Sequence, residues 1–209
     1  MKKIALFGYS GHAYVVADAI KLSGYETVGY FERAEAHANP YSITYLGYEQ
    51  DEQTLLPLRT EGIPGIVGVG ENNIRQKVMY FLKRQGVNCT SVIHPSGIVS
   101  GVATIGEGTF VAAGAKVNPL AKVGAGVILN TGCIVEHECS IGDFAHIAPG
   151  AVLAGSVSVG EGSFVGANAV VKQGVRIGSK VVVGAGAVVL KDIPDNQTWV
   201  GNPAKEISK

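Results

Sequence analysis

Residues 111–147 read VAAGAKVNPLAKVGAGVILNTGCIVEHECSIGDFAHI, and the fold turns on their period. A branched aliphatic returns every sixth residue, at Val111, Val117, Val123, Leu129, Val135, Ile141 and Ile147. Followed backward, the series passes Ile105 and Val99 to Ile93. Forward it passes Leu153, Val159, Val165, Val171, Ile177 and Val183 to Val189, without an insertion or slip. An ordinary core does not keep phase over half a chain. A repeat of this length predicts a parallel β-helix, in which each hexad forms one side of a coil.

The other hexad positions agree. The fourth residue after the aliphatic is mostly small, as at Ala115, Ala121, Cys133, Cys139, Ala145 and Ala151. Large and small inward residues in alternation fill a narrow triangular interior. Glycine directly follows the aliphatic at 106, 124, 142, 160, 166, 178 and 184, corners where a backbone without Cβ is useful. Three hexads make one coil. Residues 93 to about 194 then hold roughly five to six coils, and the prism stands on the order of 25 Å tall.

Composition narrows the rest. The chain has 209 residues, 46% hydrophobic and 16% charged, enough to bury a core. Lys+Arg and Asp+Glu balance at 17 each, so no basic face is implied and nucleic acid is not an expected partner. Cys89, Cys133 and Cys139 are too few for a disulfide scaffold, and Cys133 and Cys139 share the small inward slot, as buried thiols. The apolar run Ile4 to Phe7 is too short for a signal peptide and reads as a first strand. No run reaches membrane-spanning length. The expectation is a cytoplasmic chain with no membrane contact.

Residues 1–88 lack the six-residue period. Lys3 to Phe7 reads as a strand, Gly8 to Gly11 as a tight turn and Ala13 to Ser23 as a helix stopped by Gly24. Thr27 to Phe31 is a second strand, and Ala34 to Ser42 is loop-like. Gln53 to Glu61 is a short helix interrupted by Pro57. Gly65 to Val69 is another strand. Asn72 to Gln85 is an amphipathic helix with Ile74, Val78, Phe81 and Leu82 on one face, and Cys89 to Ile93 leads into the coil. Alternating strands and helices predict a small parallel α/β domain over 1–88, Rossmann-like, ahead of a β-helical domain over 89–209.

Two stretches carry chemistry. Gly8-Tyr9-Ser10-Gly11-His12-Ala13 follows a strand and opens a helix, but a dinucleotide fingerprint needs glycine at 8, 10 and 13 and only Gly8 is present. A nicotinamide cofactor is therefore disfavoured. The helix N-terminus still suits a phosphate, or the motif is a plain turn. The second stretch is Glu136-His137-Glu138-Cys139 with His146. Neither histidine takes an inward slot, and the two emerge on different sides of one prism. They meet only if prisms pack side by side. An imidazole suits proton removal near neutral pH, and Glu136 or Glu138 is placed to orient it. Asp192-Ile193-Pro194 and Gly201-Asn202-Pro203-Ala204-Lys205 read as a cap on the last coil. His37 and His94 are incidental, and no cluster has metal-ligand spacing.

This order of parts resembles the bacterial hexapeptide-repeat sugar acetyltransferases, which include the UDP-4-amino-sugar (bacillosamine-type) N-acetyltransferases and the sialic acid O-acetyltransferases. The resemblance covers essentially the whole chain. It rests on the Ser10-Gly11-His12 turn, His137-Glu138-Cys139, His146 and the Gly201 to Lys205 tail. It implies a left-handed coil, a homotrimer, no metal, and acetyl-CoA as co-substrate. It also implies residue roles. His137 is then the general base and Glu138 raises its basicity. His146 lies near the acetyl end of acetyl-CoA, and the corners at Ala167 and Ala185 let the pantetheine arm lie between two subunits. Ser10, Gly11 and His12 hold a nucleotide-linked amino sugar. Bacillosamine-type members carry paired aspartates after the second strand, and here that place reads Glu32-Arg33. Transfer to the 4-amino group of such a sugar is the expected reaction, with O-acetylation of the sialic acid type as the alternative.

Overall fold

The computed structural model describes residues 1–51 and 53–207. The first part is a four-stranded parallel sheet flanked by helices. Its elements are β1 (Lys2–Phe7), α1 (Gly11–Leu22), β2 (Tyr25–Phe31), β3 (Tyr45–Gly47), α2 (Leu56–Glu61), β4 (Gly65–Val67) and α3 (Asn72–Arg84). The sheet order is β3-β2-β1-β4, so the strand order switches sides between β1 and β4 while every strand stays parallel. In open α/β sheets ligands collect outside the carboxyl ends of the strands at such a switch point.

Sequence periodicity missed β3, which is short and carries Gly47 at φ +113°. It also misplaced one helix face. In α3 the buried residues are Asn72, Arg75, Met79 and Leu82, whereas Ile74 is 51% exposed. That face meets the coil as well as the sheet, and a polar contact surface shifts the buried stripe toward Asn72 and Arg75. Glu71 caps this helix by accepting from the N–H groups of Asn73 and Ile74.

The second part is a parallel β-helix of two-residue strands. Three faces repeat in order. The first holds Val92–Ile93, Phe110–Val111, Ile128–Leu129, His146–Ile147, Phe164–Val165 and Val182–Val183. The second runs from Ile98–Val99 to Val188–Val189, and the third from Thr104–Ile105 to Arg176–Ile177. Each strand pairs in parallel with the strand one coil on, as Lys122 does with Ser140 and Val123 with Ile141.

From Val111 to Val189 every sixth-residue aliphatic is buried, in one continuous core that also takes the small-slot residues. Full burial of each such side chain is worth roughly 1.5–3 kcal/mol, repeated at every hexad. The small slot holds Ala, Cys, Thr and Ser, but also Val127, Val157, Val175 and Val181. Burial pushes the Cys133 thiol up to about 12, which makes it an inert packing group. Ile193, Trp199 and Ala204 complete the core at the C-terminal end, where the tail was expected to cap the coil.

The glycines that follow the aliphatics serve close approach. A Cβ on Gly106 would lie 2.4 Å from the Gly124 backbone, and one on Gly166 would lie 2.5 Å from the Ala185 nitrogen. Left-handed backbone falls two residues later, at Gly108, Gly114, Gly126, Gly132 and Gly150, and also at Glu138 (φ +60°) and Phe144 (φ +57°). There a side chain clashes with its own backbone, at a cost of roughly 1–2 kcal/mol.

The α/β part packs on the outer side of the first face. Val92, Phe110 and Ile128 share a core with Ile4, Leu6, Ala13 and Ile20. Phe144 joins Phe7, Met79 and Leu82. The outer side of the second face is uncovered and mostly apolar, with Ile98 62% and Val170 42% exposed, Ile134, Val152 and Val188 partly so, and exposed Lys116 between Ile98 and Ile134. The outer side of the third face is polar, carrying Thr104, Lys122, Ser140, Ser158 and Arg176.

Candidate active site

His137 stands at the corner between the second and third faces, after the strand Ile134–Val135. Its Nδ1 lies 3.0 Å from Glu138 Oε2, so Glu138 is the carboxylate that partners it. Both side chains are about half exposed, at 50% and 56%. A carboxylate accepts only, so in the neutral ring Nδ1 carries the proton and Nε2 presents a free lone pair. Glu138 makes this bond from the left-handed corner position of the coil. Strained backbone of this kind is often kept where a side chain has a task. One coil on, Gly155 leaves room for the ring. A Cβ there would stand 2.6 Å from both Cε1 and Nε2 of His137.

His146 lies elsewhere, on the first face beneath the α/β part, and is 8% exposed. The Asn130 carbonyl oxygen accepts from the Thr131 N–H at 2.8 Å. The Asn130 amide group therefore donates to His146 Nε2, 3.1 Å away. Nδ1 is left with the proton, buried and drawn toward the Gly70 backbone without a well-formed hydrogen bond. The Phe164 ring stands edge-on at 5.1 Å and the His12 ring is 6.2 Å away.

His12 also has a buried, unpartnered Nε2. Burial, then the Arg75 charge, lowers its pKa to about 4. For His146, burial, Arg75 and His12 in that order lower the value to about 4, against an opposing pull from the Gly70 backbone. Both rings are neutral at physiological pH, because a charged imidazole here gives up hydration without gaining an anion.

The Ser10-Gly11-His12 motif is thus divided. His12 turns into the seam between the two parts, toward His146. Ser10, the N-cap of α1, makes no side-chain cap bond and lines a different cleft. That cleft, of about 490 Å³, opens at the carboxyl ends of the parallel strands and is lined by Gly8, Ser10, Glu32, Arg33, Glu49 and Lys77 among others. Gly11 is exposed at the same helix start. Glu32 has a structural duty there, since its two oxygens accept from the N–H groups of Tyr9 (3.2 Å) and Arg33 (3.0 Å). Tyr9 itself is core, stacked on Tyr30 at 4.1 Å and donating to Asn39 Oδ1 at 2.7 Å.

Ala167 and Ala185 stack one coil apart at the corner between the first and second faces, where the Gly186 N–H donates to the Ala167 carbonyl. Ala185 is exposed and Ala167 partly so, which leaves a smooth strip of backbone along that corner. His94 is occupied locally by Ser96. Arg75 was missed by sequence reasoning, because a single arginine in an amphipathic helix reads as a solvated charge. Among the described residues no helix is long and apolar enough to cross a membrane.

Comparisons with known proteins agree with this division. Residues 3–81 match the family model of the PglD N-terminal domain, and residues 156–191 match that of the hexapeptide repeat of succinyl-transferase. A search of curated proteins finds no match. Among solved structures, the acetyltransferase domain of PglB from Neisseria gonorrhoeae FA1090 in complex with acetyl coenzyme A is 36% identical. The match covers 99% of this chain and 99% of that one, with a TM-score of 0.92. PerB from Caulobacter crescentus, in complex with CoA and GDP-perosamine, is 35% identical over 100% of this chain and 98% of its own, with a TM-score of 0.91. A single-histidine-to-alanine mutant of the Caulobacter GDP-perosamine N-acetyl transferase matches at 34% identity over 100% and 98%, with a TM-score of 0.94. The chain belongs to the hexapeptide-repeat sugar acetyltransferases, the family in which a PglD-type N-terminal domain precedes a left-handed parallel β-helix.

Proposed function

We propose that this acetyltransferase moves the acetyl group of acetyl-CoA to the 4-amino group of a nucleotide-linked deoxy-amino sugar, with His137 as general base. The observation that carries the reading is the His137–Glu138 pair: Nδ1–H is held by a carboxylate at 3.0 Å, and Nε2 is free at an open corner. The amine nitrogen attacks the thioester carbonyl carbon while its proton passes to Nε2. The carbonyl electron pair moves onto oxygen, then returns as the C–S bond breaks and the CoA thiolate leaves. No covalent enzyme intermediate is required.

The roles divide by region. Residues 1–88 hold the nucleotide in the cleft that contains Ser10, Glu32 and Arg33, with Gly11 at its helix start. Residues 89–209 hold acetyl-CoA along the Ala167 and Ala185 corner. His12 and His146 stand behind the acetyl end, as neutral rings in the seam between the two parts. The solved complexes of PerB with CoA and GDP-perosamine and of the PglB domain with acetyl coenzyme A support this choice of substrates.

The working unit is a homotrimer. The apolar outer side of the second face lacks a cover within one chain, and His137 stands at its edge. A ladder of exposed aliphatics, broken once by Lys116, marks an interface. Packing that face on a neighbouring prism brings His137 to the neighbour's first-face corner, toward its His146.

The test is acetyl-CoA consumption across a panel of UDP-, dTDP- and GDP-linked 4-amino sugars, with free sialic acid as the control. Turnover of a nucleotide-linked amino sugar with no turnover of sialic acid is expected. Turnover of sialic acid alone would replace the reading with O-acetylation. Light scattering at micromolar concentration should give a trimer mass, and a monomer mass would remove the shared site.

A further inference from the structure

Arg75 belongs to no motif, and the acetyl-transfer scheme above leaves it idle. Yet it is 1% exposed and heads the fully buried side chains by volume. Nε donates to the Gly126 carbonyl at 2.7 Å. Nη1 donates to the carbonyls of Val69 (3.2 Å) and Gly70 (3.0 Å). Nη2 donates to Asn72 Oδ1 (2.8 Å) and to the carbonyls of Phe144 (2.8 Å) and Ala145 (3.4 Å). The acceptors come from three places: the loop after β4, the first turn of α3, and the corners of two successive coils. All are neutral. Among the described residues none of its hydrogen-bond partners is a carboxylate.

A buried guanidinium held only by carbonyls keeps its charge unneutralised at short range. Among the described residues Glu71 is the carboxylate that acts on it, and its oxygens are engaged in capping α3. Both ends of the clamp touch the imidazole pair. A Cβ on Gly70 would lie 3.6 Å from the His12 Cβ. Ala145 is the residue before His146.

We propose that Arg75 is a positioning residue for acetyl transfer. It locks the Val69–Gly70 loop of the α/β part to the coil corner that carries His146, fixes the spacing of the His12 and His146 rings, and sets an unpaired positive charge behind them. This rests on the acetyl-transfer reading. The charge has two effects on the reaction. It adds to burial in keeping both rings neutral, so that neither ring draws a proton from the attacking amine. It also favours the negative oxygen that forms when the amine adds to the thioester. The groups facing the pair are few. His12 meets Phe110 and His146, and His146 meets Phe164, Asn130 and the Gly70 backbone. Among the described residues, Arg75 is the permanently charged group that acts on both rings.

The experiment compares full-length Arg75→Met and Arg75→Lys by imidazole NMR titration and by the pH dependence of kcat and KM. In Arg75→Met, the two buried imidazoles should titrate higher than in the wild type. Its kcat should fall about tenfold or more, as for loss of a fixed charge, with the acid limb moved up. The KM for acetyl-CoA should stay within about threefold. Arg75→Lys keeps the charge and loses the fork, so the titration should hold while kcat drops several-fold. A folded Arg75→Met protein whose histidines titrate as in the wild type would reduce Arg75 to a strut and overturn the proposal. If the methionine variant does not fold, the lysine variant decides, and wild-type kcat in it overturns the positioning role. Failure of the wild type to acetylate any nucleotide-linked amino sugar sinks the parent reading instead, and the imidazole titrations still report on Arg75 separately.

Discussion

His137 and His146 lie nine residues apart in the chain and in opposite surroundings. His137 sits on an open corner, paired with a carboxylate, and offers a lone pair. His146 sits in the seam between the two parts, where the Asn130 amide occupies its lone pair and the Nδ1–H is buried. In both rings the proton is on Nδ1. The difference is whether the protein leaves the lone pair open. One ring is built to take a proton, the other to stay neutral in the seam. Residue type and spacing alone do not separate these roles.

The largest effect should come from removing the lone pair. His137→Ala should lose roughly 10²- to 10⁴-fold in turnover, with the trimer and acetyl-CoA binding retained. A folded, trimeric variant within about threefold of wild type would break the contrast, and His146 would become the candidate base.

Stability against acid should sharpen the contrast from the other side. His12 and His146 have folded-state pKa values lowered to about 4, against an ordinary 6.5. Below pH 6.5 the unfolded chain takes up these protons and the folded chain does not, until pH nears 4. Stability therefore falls as pH drops across that window, by up to roughly 3 kcal/mol per imidazole. Urea midpoints between pH 7 and pH 4 measure the fall. His146→Gln should flatten it. A fall as steep as in the wild type would mean that burial in the seam does not set this dependence.

The smallest effect concerns the corner itself. Glu138 is held at φ +60°. Glu138→Gly should remove that strain and leave the protein equally stable or up to about 1 kcal/mol more stable. Turnover should drop, by less than in His137→Ala, since the ring persists without its orienting carboxylate. A melting-temperature and kcat pair settles it. A loss of stability would show that the ion pair outweighs the strain, contrary to the small worth of exposed pairs.

Much of the molecule was legible in the chain. The Ile93 to Val189 series, the small slot that holds Cys133 and Cys139, and the capping tail all appear in the coil, because each hexad repeats the same local demand. The two outward histidines were legible as breaks in that pattern. Other features carry no period. The short β3 lacks enough residues to show an alternation, and the buried face of α3 follows a polar contact with the coil instead of its own aliphatics.

By itself, then, the sequence determined the coil, the α/β part before it, and the stretch that carries His137, Glu138 and His146. Tertiary structure alone decided that Ser10 and His12 serve different places, that Glu138 rather than Glu136 holds the His137 ring, and that Arg75 is buried among carbonyls beside two neutral imidazoles. The reason is physical. A repeated inward side chain announces itself through periodicity, whereas the proton left on a ring and the charge left on a buried guanidinium depend on single contacts between residues up to 70 positions apart.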